Sequence, residues 1–216
     1  TGAMYRAIAL AAMRRKVEWS DSATLAELVG HVRVELQNEH VFLDGEDVTD
    51  LIRTPEVTSS VHYVADNPAV RHQLVEQQRR VARGKNIVCE GRDQGTVAFP
   101  DAECKIFLTA TPAERARRRW RELEARGQVV AFDVLLEQQN ERDRRDTTRP
   151  VGRLVRAEDA VEVVSDGMSA DEVLEHLEDP ARFVTRLFAL TRPGGHAYIS
   201  GAINAAHTDH IYLYRS

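Results

Sequence analysis

Lysine is nearly missing from this chain. Only Lys16, Lys85 and Lys105 occur, so 26 of the 29 basic residues are arginine. Arginine's planar fork suits phosphate and carboxylate better than lysine's point charge, although a genome-wide codon bias would give the same count. A basic excess is missing too. The net charge is −5, which argues against a broad electrostatic grip on nucleic acid. Cysteine is scarce: Cys89 and Cys104 alone do not suggest a secreted disulfide framework. Both stand in apolar runs, and free, buried thiols are expected. The longest apolar run is Ala7–Met13, far short of the roughly 20 residues that span a bilayer. A helical pattern starts at once, with no secretory signal pattern before it. A soluble, cytoplasmic protein is therefore expected. What is present is an ordinary globular mix, 43% hydrophobic and 29% charged, which excludes disorder. A length of 216 residues fits one domain with an appendage, or two small ones.

The first part of the chain reads as helices and a hairpin. Apolar residues Met4, Ile8, Leu10 and Ala11 recur at helical spacing over 3–16, and a second helix is expected at 23–31. Alternation then takes over at 32–48, with turn signals at Asn38-Glu39 and Asp44-Gly45, and predicts a small antiparallel region. Helices follow near 55–65 and from Ala69 to Arg83, with Pro68 at a favoured helix start. The texture then changes to short apolar runs at 86–89, 105–108 and 160–164, separated by helices at 112–126 and 132–145. That alternation predicts a parallel sheet. Thr111-Pro112-Ala113-Glu114 and Ser169-Ala-Asp-Glu172 are capping boxes, the second opening a helix to about Leu177. After a break at Asp179-Pro180, a helix to about Leu190, a turn at Arg192–Gly195 and a strand at 196–200 are expected.

Two stretches carry chemistry. Residues 113–149 hold ten arginines and no lysine. Arg115, Arg118 and Arg119 share one helix face, and Arg142, Asp146 and Arg149 share another, with Arg145 adjacent. The faces are either solvated and balanced by Glu114, Glu122, Glu124, Glu137, Glu141 and Asp143, or a cage of forks for phosphates. The second stretch, Glu90-Gly-Arg-Asp-Gln-Gly95, leaves a strand end, where open α/β sheets place their ligands. Its glycines allow close backbone approach, and Arg92 and Asp93 set a donor fork beside an acceptor.

Taken together, these stretches resemble the cytidylate kinase family. The resemblance rests on Thr1-Gly-Ala-Met-Tyr-Arg6, Ile52-Arg-Thr-Pro-Glu-Val57, Pro68-Ala-Val-Arg71 and Gly91-Arg-Asp-Gln-Gly-Thr-Val-Ala-Phe-Pro-Asp-Ala102. It continues through Lys105-Ile-Phe-Leu-Thr-Ala110, Glu114-Arg-Ala-Arg-Arg-Arg119 and Glu141-Arg-Asp-Arg-Arg-Asp146, in order over 1–177. It implies an α/β fold, a nucleoside-monophosphate-kinase parallel sheet with helices on both faces. It also implies a small CMP-binding insert at about 28–66 and a lid at about 112–130. The implied reaction transfers the ATP γ-phosphoryl group to CMP or dCMP with Mg²⁺, in a monomer without membrane or nucleic-acid partners. In that reading Arg6, Arg92 and Arg149 hold the CMP phosphate, and Arg92 and Arg149 are the catalytic residues. Arg71 and Asp93 read the cytosine edge, and Arg142 and Asp146 hold the sugar hydroxyls, with Tyr5 and Thr1 beside them. Arg115, Arg118 and Arg119 lie on the lid over the ATP phosphates, and no side chain is assigned to a metal.

The sequence departs from the family in four places. It contains no Gly-x-x-x-x-Gly-Lys-Ser/Thr; the one Gly-Lys pair, Gly84-Lys85, is followed by Asn86. In the family that phosphate loop (P-loop) precedes the stretch matching Thr1-Gly-Ala, so the sequence reads as a cytidylate kinase without its first strand and P-loop. Loss of a central strand predicts unpaired ladder groups and an unstable or catalytically dead chain. His62 stands where the family usually has serine, as a base contact or a helical histidine. Val164-Ser-Asp-Gly167 replaces an Asp-Thr-Thr-like strand end and is given no role. The stretch Phe183–Ser200 resembles a late fragment of S-adenosylmethionine-dependent methyltransferases, which divides the chain into 1–178 and a tail, 179–216. His207-Thr-Asp-His210 reads as a polar loop rather than metal ligands. The alternatives to a kinase are an inactive CMP-binding fragment without the ATP loop, or a fusion with a methyltransferase.

Overall fold

A computed structural model of the protein describes residues 1–37, 39–85, 87–169, 172–173 and the backbone of 197–201. The chain forms two compact units. The first takes Thr1–Arg83 with Pro150–Gly152, and the second takes Gly84–Arg149 and the described residues from Arg153 on.

In the first unit, helix α1 (Gly2–Arg14) buries Met4, Tyr5, Ala7, Ile8, Ala9, Leu10, Ala11 and Ala12. A helix apolar on nearly every side can only be covered on nearly every side. Its neighbours do this: α2 (Ser22–Gly30), α3 (Pro55–Ala65) and α4 (Pro68–Ala82) add Leu25, Val57, Val64, Val70 and Leu74 to one core. Each of these three helices starts where a side chain takes up orphan amides. Asp21 accepts from Thr24 N, Thr54 precedes Pro55 and accepts from Val57 N, and Asn67 precedes Pro68 and accepts from Ala69 N and Val70 N. Strands β1 (Val34–Gln37), β2 (His40–Leu43) and β3 (Glu46–Asp47) make the antiparallel sheet expected at 32–48. The Asp44-Gly45 turn has positive φ at both positions, 51° and 89°, as a two-residue hairpin of this hand requires.

The second unit holds a wholly parallel sheet in the order β4 (Val88–Gly91), β7 (Ala197–Gly201), β5 (Cys104–Thr109), β6 (Val161–Val164). The strand expected at 86–89 lies two residues later, because its pairing runs from Val88 opposite Ala197 to Gly91 opposite Ser200. The strand expected late in the chain is present and stands in the middle of this sheet. Ile199 is opposite Glu90 on one side and Ile106 on the other. The expectation of bare ladder groups in the sheet therefore fails: β7 fills the slot between β4 and β5. Helices α5 (Pro112–Ala125) and α6 (Phe132–Thr148) pack through Ala116, Leu123 and Leu135. Thr111 Oγ1 accepts from Glu114 N at 3.3 Å, and Gly127 ends the helix region at φ 72°, as the capping pattern requires.

The second capping box is also formed. Ser169 Oγ accepts from Glu172 N at 3.2 Å, and Glu172 accepts from Ser169 N at 2.7 Å. The helix expected beyond it to Leu177, the helix to Leu190 and the turn at Arg192–Gly195 lie outside the described residues.

Candidate functional site

In the first unit, Thr1 is the N-cap residue of α1, and Tyr5 and Arg6 leave its first turns. Tyr5 is buried, and the Arg71 guanidinium carbon sits 5.2 Å from its ring centroid. Arg71 is itself buried on α4 and donates to Ala65 O at 2.8 Å. Contact with an aromatic face and a carbonyl acceptor hold its fork in place. Arg6 turns elsewhere, donating to Thr58 Oγ1 at 2.8 Å and Ile52 O at 3.2 Å. The structure thus brings Tyr5 and Arg71 together and points Arg6 at the chain around α3. His62 is a helical histidine: its Nδ1 meets Ser59 O at 2.7 Å and its ring lies 4.0 Å from Tyr63, which stacks on Trp19.

In the second unit, three expected arginines gather on one expected carboxylate, that of Asp146. Arg92, just past β4, donates from Nε to Asp146 Oδ2 at 2.8 Å. Arg149 pairs closely with the other oxygen of Asp146, and Arg142 Nε lies 4.0 Å away. The side chains of Arg92, Asp146 and Arg149 are 16%, 10% and 6% exposed, so the group is largely dry, while Arg142 is half-exposed. Burial lowers the Arg92 pKa, Glu90 and Asp143 raise it, and Arg115 lowers it further. An arginine nevertheless remains cationic in a protein. Two guanidinium groups converge here, and Asp146 offsets their repulsion and sets their planes. An anion of two or more charges is what such a pair of forks recognises.

Asp93 is buried. Its carbonyl accepts from Val97 N at 2.9 Å and Ala98 N at 3.1 Å, closing the wide turn Gln94–Ala98. Gly95 was expected to admit a ligand, yet its close neighbour is Lys105. A Cβ on Gly95 would lie 3.2 Å from Lys105 Cδ.

The three arginines assigned to a lid are each engaged within the second unit. Arg115 is buried, donates to Ala110 O, and makes a two-point contact with Asp143 at 2.7 and 2.5 Å. Gln139 also donates to Asp143, at 2.8 Å. Arg118 grips the chain after β6, through Ser165 O and Ser165 Oγ, and pairs with Glu114. Arg119 pairs with Glu122 at 2.9 Å.

Sequence reasoning missed several residues. Asp143 was placed among charges balancing a solvated face, and Val164–Gly167 was given no role. Ser165 is buried against Thr109 O, and Asp166 accepts from the Thr111 hydroxyl and amide. The Thr111 hydroxyl, foremost, holds the Asp166 carboxyl below its usual range. Lys105 was missed as well, although a lysine kept among 26 arginines was a signal. Cys89 and Cys104 are free and half-buried, and burial pushes Cys89 up to about 12, too high for a nucleophile near neutral pH. Among the described residues no three potential ligands converge as a metal site, and no helix is long and apolar enough to cross a membrane. His207 and His210 lie outside the described residues.

The site's residues fall within the stretch matched by a family pattern. The family pattern described as "Cytidylate kinase" matches residues 1–182. Cytidylate kinase of Rhodopirellula baltica is 50% identical over 177 residues, covering 82% of this chain and 77% of that protein. Cytidylate kinase of Pelotomaculum thermopropionicum is 51% identical over 180 residues, covering 81% and 80%. The bifunctional pantoate ligase/cytidylate kinase of Synechococcus sp. (strain WH7803) is 48% identical over 189 residues, covering 85% of this chain and 39% of that protein. A pattern matched over 182 residues and half-identical relatives over four-fifths of the chain place it in one family of phosphotransferases: the chain belongs to the cytidylate kinase family.

Proposed function

We propose that this protein transfers the γ-phosphoryl group of ATP to CMP or dCMP, giving ADP and CDP or dCDP. An oxygen of the monophosphate attacks Pγ, and the bond from Pγ to the β–γ bridging oxygen breaks. The observation that carries this reading is the buried cluster of Arg92 and Arg149 around Asp146. Charge on the transferring group spreads over its equatorial oxygens, and preset guanidinium forks are the side chains that neutralise it best. Arg92 and Arg149 hold the acceptor phosphate and Arg6 joins them. Arg142 and Asp146 take the sugar hydroxyls, and Thr1, Tyr5, Arg71 and Asp93 serve the nucleoside. Arg115, Arg118 and Arg119 serve the ATP phosphates from the segment 112–130. Mg²⁺ enters as part of the Mg–ATP substrate, and no step is assigned to a metal held by the described side chains.

The 216 residues contain no Gly-x-x-x-x-Gly-Lys-Ser/Thr, so they carry the acceptor half of this chemistry and not the usual donor loop. This favours one further outcome, a CMP-binding module that does not turn over by itself. Residues 1–178 are the kinase-like part and 179–216 a tail of other origin. The working protein is a cytoplasmic monomer acting on free nucleotides.

Calorimetric titration of CMP into the 216-residue chain and into Arg92→Ala tests the reading, together with ADP release from Mg–ATP with and without CMP. The expected result is CMP binding, weakened about a hundredfold in Arg92→Ala, since two charge-assisted hydrogen bonds are lost. ADP release that rises with CMP is the result expected of the kinase reading, and release independent of CMP is the result expected of the binding module. CMP-dependent release would reveal a donor site built without the usual loop. Absence of CMP binding would sink the reading, and a response to S-adenosylmethionine instead would favour the methyltransferase alternative.

A further inference from the structure

Lys105 is a lysine buried in a parallel strand, its side chain only 6% exposed. All three of its ammonium donors are used: Pro100 O at 2.5 Å and the two oxygens of Asp159 at 2.9 and 2.7 Å. Pro100 ends the chain that turns back after Arg92, through the Gln94–Ala98 turn. Asp159 belongs to the segment that leaves α6. That segment is tied to the arginine cluster by Leu154 N donating to Asp146 O at 2.8 Å and by Arg153 Nε donating to Arg149 O at 2.9 Å. The lysine stem runs beneath the turn, where Gly95 leaves the room it occupies.

We propose that Lys105 is a positioning residue for the arginine cluster: its ammonium ties Pro100, at the far end of the turn that follows Arg92, to the segment that follows Arg149. Its relation to substrate rests on the reading of that cluster as the CMP phosphate site. Arg92 and Arg149 enter the cluster from different stretches of chain, and Asp146 joins them directly. The lysine joins the same two stretches a second time, at Pro100 and Asp159. Two separated ties fix the spacing of the forks, where one would leave a hinge. The hydrogen bond from Lys105 is the foremost cause that holds the Asp159 carboxyl below its usual range. The glycine at 95 is then needed for the lysine stem rather than for a ligand.

Amide hydrogen exchange on the full 216-residue chain without nucleotide, followed by CMP titration, tests this. In Lys105→Met, which keeps the stem and removes the ammonium, Val97, Ala98 and Phe99 amides are expected to exchange about tenfold faster, with β5 amides unchanged. CMP binding is expected to weaken about tenfold. Gly95→Ala should speed the same amides, and in a Lys105→Ala background it should add less than about twofold, because the stem it strikes is gone. Should Lys105→Met fail to fold, Asp159→Asn offers the milder break and should speed the same amides about threefold. A uniform rise of exchange across the second unit with unchanged CMP affinity would leave Lys105 as a purely structural residue and overturn the proposal. No change in either readout would overturn it too. If the wild type binds no CMP, the phosphate-site reading falls, and the local exchange pattern alone decides the tie: confined to the turn it stands, uniform or absent it falls.

Discussion

The two units solve the placement of charged side chains in opposite ways. In the first, Tyr5 and Arg71 ride on helices whose other faces are packed into a dry core of Ile8, Leu25, Leu74, Val57 and Val64. Apolar packing fixes the helices, and the helices fix the forks. In the second unit the charged groups fix one another: Asp146 with Arg92 and Arg149, Asp143 with Arg115, Lys105 with Asp159. Packing losses in the first unit should therefore appear as lost stability. Losses in the second should appear first as misplaced charge, because removing one partner leaves the other charge buried.

The largest effect that separates the two is expected from Leu74→Ala. Leu74 is fully buried on α4, and its truncation is expected to cost about 3–4 kcal/mol, read from the urea midpoint. The cost should fall on the first unit, with exchange in the parallel sheet unaltered; a matching loss in the sheet would mean that the two units melt as one.

Ile199→Pro probes the second unit's centre. Ile199 pairs on both sides, and proline removes a ladder donor where no central strand tolerates the loss. A destabilisation of roughly 2–3 kcal/mol is expected from the lost bond and the clash. It should fall on β4 and β5 while α1 keeps its exchange protection. A variant as stable as the wild type would show that the sheet does not need the late strand.

The smallest effect is acid sensitivity in the first unit's hairpin. Asp47 is drawn down to about 2, first by the Thr49 hydroxyl, then by the Thr49 amide and by His40. Its folded value lies below its unfolded one, so its contribution is present above pH ~4 and is lost as pH falls towards the folded value. Asp47→Asn should flatten that part of the acid limb of the stability curve, measured by chemical melts at stepped pH. An unaltered limb would assign it to other carboxylates, such as Asp166 in the second unit.

Much of this was legible beforehand, for identifiable reasons. The caps at Thr111 and Ser169 could be read because they are local: donor and acceptor lie within a few residues, and no distant chain is needed to form them. The Asp44-Gly45 turn was legible for the same reason. The forks Arg92, Arg142 and Arg149 could be proposed from residue type and spacing. Asp146 could be named from the helix face it shares with Arg142 and Arg149, but the structure alone showed it to be the partner of Arg92 and Arg149. Lys105 with Asp159 and Thr111 with Asp166 could not be found that way. Each pair is separated by more than 50 residues, and no periodicity links them.

By itself, the sequence determined the elements, the family and the type of side chain at the site, because these follow from local hydrogen bonding, apolar period and motif. Tertiary structure decided which charge meets which. Register alone set Ala197–Gly201 between β4 and β5, and strand pairing is indifferent to distance along the chain. The same holds for the arginines. A fork's partner is chosen by burial and proximity, so Arg115 and Arg118, neighbours on one helix, hold Asp143 and Ser165, which lie far apart in sequence.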